Sequence, residues 1–547
     1  MEAIRKVLEK YEHEYVEDYK PTWLKAKFKN PSDLLNIVKD LKKVGIETCS
    51  TVSPTDFIKE DKIEVNYFLE DIINKKNVWL KFDIPRDLDQ CIIDSITPLM
   101  PSANWHELEA YSTFGVKFEG HPNLRYFLIS ADYYGKFPFR KDFDWKAHEK
   151  NLISNMDEIV DEWLDEYDEN EKTLPKDGSE TILHWGPTHP ASGPIRLKVG
   201  VDGENIKWVD PDIGYVWRAL EHLVERKDFI GSIVAVERIC FMDNPNPMIC
   251  YSECVEEIAG KEITRFAKLM RVLLGEIGRT ASHLISMGGF FGNAGLHTFV
   301  MWTMDVREYF LDTLEEYSGA RIATACVEPG GVRYPMRDGW LETLEKAIKK
   351  YEDTADEFYD IFINNPLMKT RAKGNAVIDR DFVIKNYMAG PIARASGVKV
   401  DVRLDEPYAG YDEIDFDYVT CENGDIYDRL HIFFKELAQS MDIMKQAIAK
   451  IREGIEAGEM NPQKDHLIKM PRRMPEGEAV SRIEWARGEI LMHLVTMPKS
   501  SNPYRLKIKA PSVNHTMVLN DLLTGKTLSD IPLIYGSMHI CQGDLDR

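Results

Sequence analysis

Two cysteines in this chain are each followed three residues later by an aspartate: Cys240 and Asp243 in "ERICFMDNPNP", and Cys541 and Asp544 in "HICQGDLDR". Side chains at i and i+3 fall on one side of a turn or helix, which is why Cys-x-x-Cys pairs recur as metal and redox clamps. Here each half offers one soft thiolate and one hard carboxylate. Thiolates suit nickel, iron and zinc, whereas carboxylates favour harder ions and bridge a soft pair of metals poorly, so a sulfur-bridged two-metal centre is not expected. Three chemistries stay open: one metal held by two Cys and two Asp, with Cys240 and Cys541 as the candidate metal ligands; two redox thiols with the carboxylates as proton carriers; or a relic with no metal. A single Cys-x-x-Asp carries little weight, because cysteine is most often a small buried hydrophobe. A shared site requires the segment at 541 to fold back on a segment 301 residues earlier.

The elements that must bring these segments together sit in a chain of 547 residues, long enough for two or three domains with their own cores. Its composition, 44% hydrophobic and 29% charged, is that of a globular protein. A net charge of −22 argues against nucleic acid as a partner, since phosphate recognition runs on Lys/Arg clusters. No stretch approaches the eighteen or more apolar residues of a membrane span, and the N-terminal "MEAIRKVLEKYEHEYVEDYK" lacks the apolar core of a secretion signal. The expected location is therefore cytoplasmic, with any membrane contact made through partners. Eight dispersed cysteines do not read as a disulfide framework, and the compartment is inferred to be reducing.

The predicted fold class is α+β. Residues 1–150 mix a helical run, "PSDLLNIVKDLKKVG", with an alternating strand, "NVWLKFDI", as in a small α+β domain. Eleven acidic residues crowd into "DEIVDEWLDEYDENEKTLPKDGSE", so 151–180 is read as an acidic helix and linker. The third part, 181–547, opens with strand alternation in "IRLKVGVDGENIKWVD". Long helical patterns follow in "ECVEEIAGKEITRFAKLMRVLLGEIGRTASHLISMGG", "HTFVMWTMDVREYFLDTLEEYSG" and "DRLHIFFKELAQSMDIMKQAIAKIREGIEAG", which predict a central helical bundle. Strand signals return in "AVSRIEWARGEILMHLVTM" and "YRLKIKAP", which predicts a small flanking sheet assembled from both ends of this part.

Longer motifs add a family resemblance. "WHELEAYSTFGVKFEGHPNLRYFLISADYYGKFPFRKDF" resembles the segment that marks the small hydrophilic C-type component of respiratory complex I, with Leu108 and Ser112 departing from the usual Arg and Asp. From residue 181, "GPTHPA", "RTASHL", "EYSGAR", "EPGGVR", "GPIARASGVKVDVR", "EGEAVSRIEWARGE" and "NPYRLKIKAPS" resemble the D-type component of complex I and the large subunit of energy-converting membrane-bound [NiFe] hydrogenases. The order is that of a fused C/D chain. In those hydrogenases four thiolates hold nickel and iron. By the resemblance, Cys240 and Cys541 match the sulfurs that bind nickel alone, while Asp243 and Asp544 stand where bridging sulfurs would be, so an intact nickel–iron centre is not implied. Quinone-reducing relatives carry a Tyr where this chain has Phe241, and a second His in a loop that here reads "HPASGP".

The resemblance implies the catalytic large subunit of a membrane-associated oxidoreductase of an electron-transport chain. It implies as partners an iron–sulfur small subunit holding a [4Fe-4S] cluster, further hydrophilic electron-input subunits, and membrane ion-pumping subunits. The chain itself would be peripheral, on the cytoplasmic face. Cys240, Asp243, Cys541 and Asp544 are then the candidate catalytic residues, His189, Phe241 and His539 the substrate pocket, and Arg218 and His283 neighbours of the partner's cluster. One reading is reduction of an acceptor that is neither proton nor conventionally bound quinone, a polysulfide fitting two facing thiolates best. The alternatives are an NADH- or ferredoxin-driven quinone oxidoreductase with a reshaped head-group pocket, and a coupling subunit with no chemistry of its own.

Overall fold

The structure, a computed structural model, describes residues 1–155, 181–187 and 193–547. It divides into two compact units, the first made of residues 1–185, 196–217 and 384–387, the second of 186–195, 218–383 and 388–547. Most of the acidic segment predicted as helix and linker, and the pocket candidate His189, lie outside the described residues.

The first unit is built on a five-stranded sheet of β1 (His13–Lys20), β2 (Trp23–Phe28), β3 (Thr48–Phe57), β4 (Lys62–Asp71) and β5 (Lys76–Pro85), in the order β1-β2-β5-β4-β3. Only the β2–β5 pair is parallel. The expected helix after Pro31 is present: Leu34–Lys43 is helical and buries Leu34, Ile37, Val38 and Leu41, the spacing of one apolar stripe. The Asn104–Phe114 helix stops at Gly115, whose φ is +75°; a Cβ there would sit 2.9 Å from the Leu88 and Phe137 side chains. Its Glu107 is buried and accepts from Ser95, Thr97 and the Ile96 amide, yet burial still pushes it up to about 7.

A second, three-stranded antiparallel sheet joins Thr181–Trp185 to the Arg196–Asp202 and Asn205–Asp212 hairpin, which turns at Gly203 and Glu204. This hairpin belongs to the first unit and pairs with Thr181–Trp185. The expectation of one sheet assembled from both ends of the third part is therefore corrected: Gly477–Trp485, Gly488–Thr496 and Arg505–Lys509 pair only with one another, as a consecutive antiparallel meander. Consecutive strands joined by short turns reach each other at little loop-closure cost, which a partner some 270 residues away does not.

The second unit is the predicted helical bundle. Its axis is the Arg265–Asn293 helix, which packs against Pro245–Ala259, His297–Ser318 and Ile426–Glu456. The apolar pattern that runs on in the sequence from 253 to 289 breaks at Gly260, in the left-handed region at φ +60°, and restarts behind a Thr264 cap. Inside the bundle Glu276, Arg279, Arg394, Asp401, Arg403, Glu436 and Glu484 form a buried ion network, with Arg403–Glu276 at 2.9 Å, Arg394–Glu436 at 2.8 Å and Arg394–Glu484 at 2.7 Å. Among the described residues no helix is long and apolar enough to cross a membrane.

Candidate redox site

Cys240 ends a short helical turn, Glu237–Ile239, in extended conformation, and Cys541 stands, also extended, before the final turn Gln542–Asp546. Their backbones are held together by Arg218, whose guanidinium donates to the Arg238 carbonyl and the Gly543 carbonyl, each at 2.6 Å. The two sulfurs lie 3.4 Å apart and buried. Asp544 joins them: one ligand atom from each of Cys240, Cys541 and Asp544 falls within 4.8 Å of the others.

Asp243 does not close that cluster. Its carboxylate turns to Asn246, which donates at 2.8 and 3.0 Å, and to the Ala486 amide at 3.3 Å, and it packs against Gly278 so closely that a Cβ there would lie 2.4 Å from its oxygen. As donors for a sulfur-bridged metal pair the set does not fit. Two thiolates and one carboxylate converge, the second carboxylate is turned away, and a buried cation, Arg487, stands among them.

Sequence reasoning misses Arg487. A charged residue beside a Gly between two strand patterns reads as an exposed hairpin turn, and "EWARGE" has that form. Instead the turn is buried: Gly390 and Gly488, both at positive φ, touch so closely that a Cβ on Gly390 would sit 2.4 Å from the Gly488 Cα. Trp485 pins the same turn by donating from Nε1 to the Asp243 carbonyl at 3.1 Å. The guanidinium, fully buried, reaches Met242 Sδ at 3.1 Å and lies 3.7 Å from Asp544.

This charge distribution sorts the protons. The hydrogen bond from Cys240, with Arg487 and the Gly543 and Asp544 amides, outweighs burial and holds Cys541 down at about 5. Burial and the neighbouring Cys541 push Cys240 well above the ordinary thiol range, so the pair keeps one proton, on Cys240. Burial and the Cys541 charge also raise Asp544 well above the usual carboxylate range, and burial lifts Asp243 to about 6. These shifts favour the thiolate on Cys541, the thiol on Cys240 and the acid form of Asp544 around one guanidinium.

Beside the cysteines opens a cleft of about 560 Å³, lined in part by Phe241, Met242, Phe290, Tyr535, His539 and Ile540. Phe241 is half exposed there, whereas His539 is buried with both ring nitrogens unpaired and is kept neutral by burial and by Arg487. His283 lies behind His539, ring centroids 5.4 Å apart, with Nε2 on Glu436 at 2.8 Å. Arg218 is exposed and bonds the backbone beside both cysteines, whereas His283 is buried and meets the Cys541 segment only through the His539 ring.

The helical bundle and small sheet that carry this thiol pair are those of a complex I-type oxidoreductase subunit. The family model of the respiratory-chain NADH dehydrogenase 49 kDa subunit matches residues 293–547, and that of the 30 kDa subunit matches residues 27–149. The C/D chain of the NADH-quinone oxidoreductase of Bdellovibrio bacteriovorus is 32% identical over 476 residues, 83% of each chain. The D chain of the same enzyme from a Wolbachia of Brugia malayi is 32% identical over 384 residues, 67% of this chain and 98% of that one. Among solved structures, a chain of an archaeal membrane-bound sulfane sulfur reductase is 29% identical with a TM-score of 0.64, covering 68% of this chain and all of that one. The chain belongs to the fused C/D family of complex I-type oxidoreductases, and it works as part of a multi-subunit respiratory complex.

Proposed function

We propose that this subunit reduces a sulfane-sulfur acceptor, such as a polysulfide, at Cys541 and Cys240. The observation that carries the reading is the buried 3.4 Å sulfur–sulfur approach beside an open cleft. The Cys541 thiolate attacks a terminal sulfur of the polysulfide, the adjacent S–S bond breaks, and a chain shorter by one sulfur leaves as a dianion. Cys541 then carries a persulfide anion. Cys240 attacks the Cys541 sulfur, its proton passes to the departing sulfur, and hydrosulfide leaves as the Cys240–Cys541 disulfide forms. Two electrons from an iron–sulfur partner subunit and one proton restore the Cys240 thiol and the Cys541 thiolate. Asp544, whose acid form is favoured by burial beside Cys541, supplies that proton and is refilled from solvent. The net step consumes two electrons and one proton per hydrosulfide released.

The similarity to the sulfane sulfur reductase chain supports this reading. Cleft residues such as Phe241 and Phe290 favour a second one, an apolar quinone head group with His539 as its hydrogen-bonding partner. The purified complex, supplied with reduced ferredoxin, separates them. Polysulfide turnover lost in Cys541→Ser and Cys240→Ser supports the first reading, and quinone turnover that survives both replacements overturns it.

A further inference from the structure

Arg487 is the least satisfied cation among the described residues of the site. It is fully buried, yet Nε and Nη1 have no hydrogen-bond partner among the described residues, and Nη2 meets only a thioether. An unpaired buried donor is costly, so two of them on one charged group mark a place where a ligand completes the bonding. The carboxylates do not fill the role: Asp544 stands at 3.7 Å, beyond hydrogen-bond reach, and the Asp243 oxygens are taken by Asn246 and the Ala486 amide. The Gly390–Gly488 contact and the Trp485 bond fix the turn that carries it.

We propose that Arg487 is the anion-binding residue of this site, and that whatever acceptor reaches Cys541 does so as an anion whose terminal atoms take the two unpaired N–H groups of its guanidinium. A planar fork of donors suits an anion with two electron-rich atoms, such as the end of a polysulfide dianion or an organic persulfide, and gives nothing comparable to a neutral quinone or a ring of elemental sulfur. This deepens the sulfur-acceptor reading by naming the charge class of the substrate, and it rests on the cysteine pair being the reacting group.

The test needs no sulfur substrate. Iodoacetate, an anion, and iodoacetamide, its neutral counterpart, alkylate a thiolate by the same displacement of iodide. The ratio of their rates therefore cancels any change in how much thiolate is present. In the intact purified complex, with labelling at Cys541 read by mass spectrometry, the iodoacetate-to-iodoacetamide ratio is expected to exceed that of free glutathione by about tenfold. Arg487→Met should bring it to the glutathione value, and Arg487→Lys, which keeps the charge without the fork, should fall between. A wild-type ratio equal to that of glutathione overturns the proposal, and this measurement holds even if the variants fail to assemble. So does failure of both reagents to label either cysteine, since no acceptor could then reach the pair. Polysulfide turnover is scored separately. Anion preference without it keeps the assignment of Arg487 and rejects the sulfur reading, whereas turnover without anion preference does the reverse.

Discussion

The second unit contains two buried clusters of charge that are completed to different degrees. In the network around Glu276 and Arg394 every carboxylate is engaged: Glu276 accepts from Arg403, Tyr411 and Ser440, Glu436 from Arg394, Glu484 from Arg394, and Asp401 from Arg403. In the cysteine cluster both oxygens of Asp544, both ring nitrogens of His539 and two nitrogens of Arg487 have no hydrogen-bond partner among the described residues, and Arg487 meets Asp544 only as an ion pair at 3.7 Å. The same burial acts on both: it lifts Glu484 of the network to about 7, whereas Glu276 has the opposite outcome. Burial pushes Glu276 up, but Arg279 and Arg403 outweigh it and hold it at about 2, whereas Asp243 rises to about 6 and Asp544 higher still. One cluster fixes the packing of helices; the other holds polar capacity in reserve for a ligand.

Four outcomes would break or sharpen that contrast. The largest belongs to the unfinished cluster: Cys541→Ser should lower acceptor reduction by at least about a thousandfold, as loss of a nucleophile does, with the unfolding midpoint shifted by no more than a few degrees. A stability loss equal to that of a network mutant would erase the distinction. Next, Glu436→Leu strands Arg394 and His283 in the bundle and should cost about 3–5 kcal/mol in denaturant unfolding.

The third outcome is pH dependence. Asp243 has a folded pKa raised to about 6, above the ordinary 3.8, so its contribution is most favourable below that lower value and is lost as pH climbs through 6. The wild type should lose up to about 3 kcal/mol from this group between pH 4 and 7, and Asp243→Asn should flatten that part of the curve. Glu276 carries the opposite sign: its contribution is present above about 4.5 and falls away as pH drops toward 2. Unfolding followed across both windows tests the pair of signs. The smallest effect lies outside both clusters. Lys349→Ala removes an exposed i,i+4 partner of Asp353 on the Trp340–Phe362 helix and should change stability by less than about 0.5 kcal/mol.

Sequence alone reaches the bundle and the two thiols, because periodic apolar stripes and a repeated Cys-x-x-Asp are local patterns, while the meeting of thiols 301 residues apart follows only from the family resemblance. It goes wrong where an i, i+3 spacing is read as a shared direction. That rule belongs to helices and turns, and Cys240 is extended while the next helix begins only at Pro245, so Asp243 points toward Asn246 and away from Cys541. Asp544 follows the rule better because a helical turn starts directly after Cys541 and carries it back. Arg487 is illegible for a different reason: its burial depends on Gly390, 97 positions earlier, and one hairpin cannot announce what another segment will lay over it. The flanking sheet fails on pairing, since strand propensity does not name the neighbour.

Arg218 gives the site a moving part. A disulfide needs its sulfurs at about 2.05 Å, so under the proposed cycle Cys240 and Cys541 close a gap of about 1.4 Å and reopen it at every turnover. One side chain bonds the carbonyls beside both cysteines, joining segments far apart in the chain, and must ride through each stroke. Under that cycle the pair works as a jaw that shuts and springs open, with an exposed arginine tying its two sides together.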